Sequence, residues 1–164
     1  MDNLKKIQSK ILSLDELKEI RRKLKDDNKT VVFSNGCFDI LHLGHVQYLS
    51  KAADLGEVLI IGLNTDASVS KIKGLARPVQ NNETRAMILA SLQFVNFVVF
   101  FEEETPYNLI GEILPDILVK GSDYNIDSIV GADVVLQNGG KVLTIELTEG
   151  FSTTNIINKL LLHN

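Results

Sequence analysis

Asn35-Gly36-Cys37-Phe38-Asp39-Ile40-Leu41-His42-Leu43-Gly44-His45 separates two stretches of different character. Ahead of it, residues 30–33 (TVVF) are β-branched or aromatic, as suits a buried strand. Behind it, residues 44–55 read as a helix. A strand that passes through a glycine-bearing polar turn straight into a helix is the opening unit of a doubly wound α/β sheet. Working outward, residues 57–63 (EVLIIGL), 94–101 (FVNFVVFF), 116–120 (DILVK) and 141–147 (KVLTIEL) repeat the apolar pattern. Continuous apolar runs of this length suit strands covered on both faces, as in a parallel sheet. Residues 65–72, 82–92, 106–113 and 153–162 read as the intervening and closing helices, with Thr105-Pro106 as an N-cap followed by proline at the first helical position. The alternation predicts a Rossmann-like, doubly wound parallel sheet of five strands. Ligands of such sheets lie beyond the carboxyl ends of the strands, which directs attention to residues 34–45, 64–77, 120–124 and 148–154.

Residues 1–29 read as a helical extension and residues 30–164 as a single domain. Ser13 to Glu16 has the S-x-x-E form of a capping box. Leu14, Leu17, Ile20 and Leu24 then form one apolar stripe, while Lys18, Arg21, Arg22, Lys23 and Lys25 occupy the other faces in the pattern of a solvated surface. The whole chain has 164 residues, 45% hydrophobic and 23% charged, the size of one domain with its own core. One cysteine, Cys37, excludes an internal disulfide framework. No apolar run approaches the length of a membrane span, and the N-terminus has no signal-peptide core. A cytoplasmic location is the expectation. The net charge of -4 argues against a duplex nucleic-acid partner, which demands a basic face.

The turn before residue 44 carries most of the chemistry. A helix N-terminus exposes unpaired N–H groups and attracts anions, and Gly44 leaves room for a phosphate to approach. His42 and His45, three apart, face one crevice and supply hydrogen-bond donors to phosphate oxygens. Zinc ligation is the competing reading, but it needs three or four ligands and only Cys37 is near. Satisfied core histidines are another.

The segment GCFDILHLGH resembles the H-x-G-H motif of the cytidylyltransferase-like nucleotidyltransferases. More narrowly, the chain resembles the nucleotidyltransferase half of the bacterial ADP-heptose synthases. That likeness runs from about Val31 to Leu160 through NTDASVSKIKG, RPV, ETR, LPDILVKGSDY, NGGKV and GFSTTNII. H-x-G-H alone marks only the superfamily; KGSDY, NGG and STTNII make the likeness much more specific. Ser122 stands where many relatives have glycine, and Phe151 where they often have cysteine.

The resemblance implies transfer of AMP from ATP to a heptose 1-phosphate, giving ADP-heptose and pyrophosphate for lipopolysaccharide core or related glycan synthesis. His42, His45 and Lys73 are the implied catalytic residues. Asn35, Gly36, Phe38, Gly44, Lys120, Gly121, Asp123, Ser152, Thr153 and Thr154 are implied to bind nucleotide and phosphate. Asp39, Lys71, Arg77 and Arg85 are implied on the acceptor side, with an ion-pair role the alternative for Arg85 and a turn role the alternative for Asp39. Magnesium is expected to arrive on the substrate phosphates, with no protein metal cage. The alternative activity is a CTP-dependent transferase acting on glycerol, ethanolamine or another small phosphate. A nucleotide-binding module without catalysis and a class I aminoacyl-tRNA synthetase fragment are weaker readings, the latter contradicted by length and charge. A homodimer is expected by analogy. With about 30 residues ahead of the first strand, a separate sugar kinase is expected to supply the acceptor.

Overall fold

The computed structural model describes residues 2–122 and 126–162. In chain order the elements are α1 (Asn3–Gln8), β1 (Ile11–Leu12), α2 (Leu14–Asp26), β2 (Val31–Gly36), α3 (Leu43–Ala53), β3 (Val58–Asn64), α4 (Asp66–Lys73) and α5 (Asn82–Ser91). They continue with β4 (Phe97–Phe101), α6 (Tyr107–Ile113), β5 (Ile117–Gly121), a 3-10 turn (Ile126–Ser128), α7 (Ala132–Gln137), β6 (Lys141–Ile145) and α8 (Thr153–Leu161). All strand pairs are parallel, in the order β1-β4-β3-β2-β5-β6. The sheet therefore has six strands rather than the expected five. The additional one is β1, whose two residues pair with Val98 and Val99 at the edge and are too few to give a periodic signal.

The apolar runs are continuous because both faces of each central strand are covered. Successive side chains on a strand point to opposite faces. Val32, Leu59 and Ile61 enter one core with Leu49 of α3 and Leu89 of α5. Val31, Phe33 and Ile60 enter the other with Leu17 of α2, Ile110 of α6 and Val135 of α7. The capping box forms at α2: the Glu16 N–H donates to Ser13 Oγ, and the Ser13 N–H to Glu16 Oε2 at 2.8 Å. One cation of this helix departs from the solvated pattern. Arg21 is largely buried and donates to the carbonyls of Ile113 and Leu114 and to Asp116, closing the C-terminal end of α6.

Chain order reverses at β2. The path β2, β3, β4 moves outward on one side; the chain then returns to place β5 on the other side. Such a switch point opens a crevice at the carboxyl ends of the two strands. Tyr48 of α3 fastens it from below, its hydroxyl 2.8 Å from Ser34 Oγ on β2 and donating to the Val119 carbonyl on β5 at 3.1 Å. No helix among the described residues is long and apolar enough to cross a membrane.

Candidate active site

Beyond the carboxyl ends of β2 and β5 lies a cavity of about 650 Å³. β2 ends at Gly36, and the chain reaches α3 through a turn that backbone geometry keeps tight. Phe38 has φ 43°, and its ring folds back over Gly36, where an added Cβ would sit 3.0 Å from it. The same ring meets His45 edge-on, with centroids 5.2 Å apart.

His42 is the N-cap of α3, its Nδ1 accepting the His45 backbone N–H at 3.4 Å. That bond requires a lone pair on Nδ1, so the neutral ring carries its proton on Nε2. The two imidazoles stack at 3.7 Å with an interplanar angle of 19°. Burial lowers the pKa of His42. Burial, and then the neighbouring His42, pushes His45 down to about 4, against a small opposing pull from the Ile40 carbonyl. Near neutral pH both rings are uncharged N–H donors; an incoming phosphate favours the charged form and raises these values.

Between about pH 6.5 and 4 the unfolded chain binds a proton at His45 that the folded chain does not, so stability falls as pH falls. Folding free energy from urea titrations at pH 7 and 4.5 is expected to drop by on the order of 2 kcal/mol more in the parent than in His45→Asn. Equal drops in the two proteins would contradict the assignment.

Gly44 meets a neighbour from the far end of the chain. A Cβ there would lie 3.1 Å from the Phe151 Cβ and 3.2 Å from His42 Nδ1, so glycine lets the segment before α8 pack on the N-terminus of α3. The three hydroxyl residues that follow divide their work. Ser152 caps α8 by accepting the Asn155 N–H, Thr153 donates to the Ile40 carbonyl at 3.5 Å, and Thr154 lies exposed at the cavity wall. Lys73, at the end of α4, is exposed and lines the same cavity. Lys120 lines it from the end of β5 beside Gly121, donating to the Asn35 carbonyl at 3.4 Å. Thus His42, His45, Lys73, Asn35, Gly36, Phe38 and Gly44 converge with Lys120, Gly121 and residues 152–154 on one space. Asp123, together with Tyr124, lies outside the described residues.

The residues expected on the acceptor side are placed differently. Asp39 lines the cavity but is 1% exposed and turned to the loop before α5: it accepts from Arg77 Nε at 2.6 Å and from the N–H groups of Val79 and Gln80. Burial alone would raise its pKa, but the bonds from Gln80, Val79 and Arg77 outweigh burial and hold it below the usual carboxylate range. A sugar hydroxyl has no oxygen left to engage there. Arg77 lines the cavity with its Nε committed to Asp39. Arg85 is fully buried, donating to the carbonyls of Cys37, Asn64 and Gln80 and to Asp66, which removes it from contact with any substrate. Lys71 is exposed on α4, outside the cavity wall. Cys37 is half-buried, its thiol pKa raised by burial.

Other wall residues escaped the sequence reading. Tyr48 looks like an ordinary core aromatic in one dimension, and Phe151, though inside the flagged stretch 148–154, was given no role there. Glu104, Thr105 and Pro106 follow β4, so the carboxyl-end rule applied to that strand finds them; Ser128 to Val130 follow the 3-10 turn. Among the described residues, no cluster of three His, Cys, Asp or Glu is arranged to hold a metal ion.

A family profile described as cytidylyltransferase-like matches residues 33–159. The bifunctional protein HldE of Syntrophotalea carbinolica is 50% identical over 153 residues, 93% of this chain and 31% of that protein. HldE of Campylobacter jejuni subsp. doylei is 53% identical over 153 residues, 93% of this chain and 32% of its own length. The chain thus spans about a third of the length of these relatives. The crystal structure of the lipopolysaccharide core biosynthesis protein from Thermoplasma volcanium superposes with a TM-score of 0.58 at 26% identity, over 73% of this chain and 97% of that one. Pantoate-beta-alanine ligase from Francisella tularensis, at 16% identity and a TM-score of 0.61 over 92% of this chain and 77% of that one, shares the fold. The switch point, the histidine pair placed on it and the span of the profile all lead to one assignment: the chain belongs to the cytidylyltransferase-like family.

Proposed function

We propose that this chain transfers AMP from ATP to a heptose 1-phosphate, forming ADP-heptose and pyrophosphate. The observation that carries the reading is the stacked pair of histidines at the N-terminus of α3, sharing one cavity with Lys73 and the α8 N-terminus. The likeness of KGSDY, NGG and STTNII to the ADP-heptose synthases supports ATP and heptose over CTP and smaller acceptors.

In this reaction an oxygen of the sugar phosphate attacks the α-phosphorus of ATP, and the bond to the pyrophosphate oxygen breaks in line. The attacking oxygen is already anionic near neutral pH, so the chain supplies no general base. Its contribution is alignment and stabilisation of the charge spread over the transferring and leaving phosphates. His42 and His45 donate N–H bonds, Lys73 offers a point charge, and the backbone N–H groups at the start of α3 and α8 complete an anion-binding wall. Lys120, Gly121 and Thr154 are the handles for nucleoside and phosphate. Asp39 and Arg77 act by holding the loop between α4 and α5 against the H-x-G-H turn.

Magnesium fits this donor set as an ion delivered on the triphosphate, because no three His, Cys, Asp or Glu side chains cluster among the described residues: at the cavity wall Asp39 is spent on Arg77 and Glu104 stands alone. When bound it would neutralise phosphate charge. Pyrophosphate release with heptose 1-phosphate tests the reading: ATP is expected to support turnover at least tenfold better than CTP. Preference for CTP with glycerol phosphate would replace it with the small-acceptor activity.

A further inference from the structure

The cavity wall is divided by charge. On the α3 face of the sheet it carries His42 and His45, with Lys73 reaching it from the end of α4. On the opposite face, the segments that lead into α6 and α7 contribute Glu104, Thr105, Pro106 and residues 128–130. These segments add a carboxylate and hydroxyls but no cation; Lys120, at the end of β5, donates to the Asn35 carbonyl.

Carboxylates near the site differ in what they have left to offer. Asp39 is consumed by Arg77, Val79 and Gln80, and Glu103 accepts from Asn108 Nδ2 at 3.3 Å. The Glu104 carboxylate and the Thr105 hydroxyl, both exposed at the cavity wall, make no hydrogen bond or ion pair with any described residue. An ionised carboxylate only accepts hydrogen bonds and repels phosphate, so what it can hold here is a cation or an O–H donor; with no cluster of three metal-binding side chains among the described residues, a partner rich in O–H groups is the better fit. Strand order says which substrate brings one. Lys120 and Gly121 end β5 and residues 152–154 follow β6, whereas Glu104 follows β4, on the other side of β2 in the order β4-β3-β2-β5-β6. Lys120, Gly121 and residues 152–154 thus enter the cavity from one side of β2 and Glu104 from the other.

We infer that Glu104 and Thr105 form the hydroxyl-recognising subsite for the polyol part of the acceptor, and so set acceptor specificity. The inference rests on the sugar-phosphate reading proposed above and gives Glu104 the role that Asp39, buried and paired, does not fill.

Two measurements on the whole chain test it. In the first, backbone amide NMR shifts are followed while heptose 1-phosphate or, separately, a non-hydrolysable ATP analogue is added. Shifts at Glu104 and Thr105 are expected with the sugar phosphate and not with the analogue. In the second, Glu104→Gln and Thr105→Val, surface changes that leave the core untouched, are expected to raise the KM for heptose 1-phosphate about tenfold or more each, the scale of a hydrogen bond to a charged group for the first. The KM for ATP is expected to stay within twofold. Shifts that follow the ATP analogue, no shift with either ligand, or a rise in the KM for ATP matching that for the acceptor would overturn the inference. If the parent transfers AMP to no sugar phosphate, the functional reading falls and the titration alone decides: sugar-phosphate shifts at these two residues uphold the subsite, and their absence removes it.

Discussion

Replacing His45 with alanine is expected to lower kcat by roughly 10²–10³, the loss that follows removal of one preorganised donor, worth about 2.7–4 kcal/mol. The KM for ATP is expected to change little, because the chain keeps Lys73 and both helix N-termini for ground-state binding. His45 is the cleaner of the two histidines to test. His42 also caps α3, so its removal mixes a lost donor with a frayed helix end. The expected pattern is a fall in turnover without a matching rise in KM, which marks an interaction realised in the transition state. His45→Asn keeps a donor of different reach and should recover only part of the loss. Steady-state kinetics and a thermal melt on the same samples separate this from misfolding. Unchanged turnover in His45→Ala would remove the histidine pair from the mechanism.

Arg85→Met is expected to be the most damaging change to stability. Its guanidinium donates to the Cys37 carbonyl at 2.6 Å, the Asn64 carbonyl at 2.9 Å, the Gln80 carbonyl at 3.0 Å and Asp66 Oδ1 at 2.7 Å. These acceptors sit on the turn after β2, the end of β3, the loop before α5 and the start of α4, so one side chain ties four segments around the cavity. Methionine fills much of the volume but strands three carbonyls and a carboxylate. Leaving a buried acceptor without its donor costs about 1–3 kcal/mol, so the three carbonyls together cost about 3 kcal/mol or more, while the Asp66 carboxylate, 38% exposed, can turn to water. For a chain of this size that is a fall in Tm of about 10 °C or more. Arg85→Lys is expected to recover little, since a single ammonium cannot reach four acceptors in a planar fork. Differential scanning calorimetry checks this, and a Tm within 2 °C of the parent would show that the network is not what holds these loops.

The central strands were legible because burial on both faces leaves an unbroken apolar run, as in β3, where all seven residues are buried. β1 was not, since two residues have no period. α7 was not either: six residues rich in valine resemble a strand fragment as much as a helix. At the cavity, His42 and His45 were legible because three-residue spacing at a strand-to-helix turn fixes where they point. Asp39 and Arg85 show the limit of residue type. Each is a good substrate ligand by chemistry, yet Asp39 finds its N–H donors 40 and 41 positions away and Arg85 finds Cys37 48 positions away. Such pairings exist only after the sheet has brought the loops together. Glu104 was missed for a simpler reason: strand-end logic applied to every strand but β4.

Transfer of AMP is tested most directly by incubating the purified chain with ATP, magnesium and each anomer of heptose 1-phosphate and following the phosphorus by NMR. A new diphosphate diester signal is expected to rise in step with pyrophosphate, with one anomer consumed. Pyrophosphate without the diester, or no reaction with ATP while CTP is consumed, would contradict it.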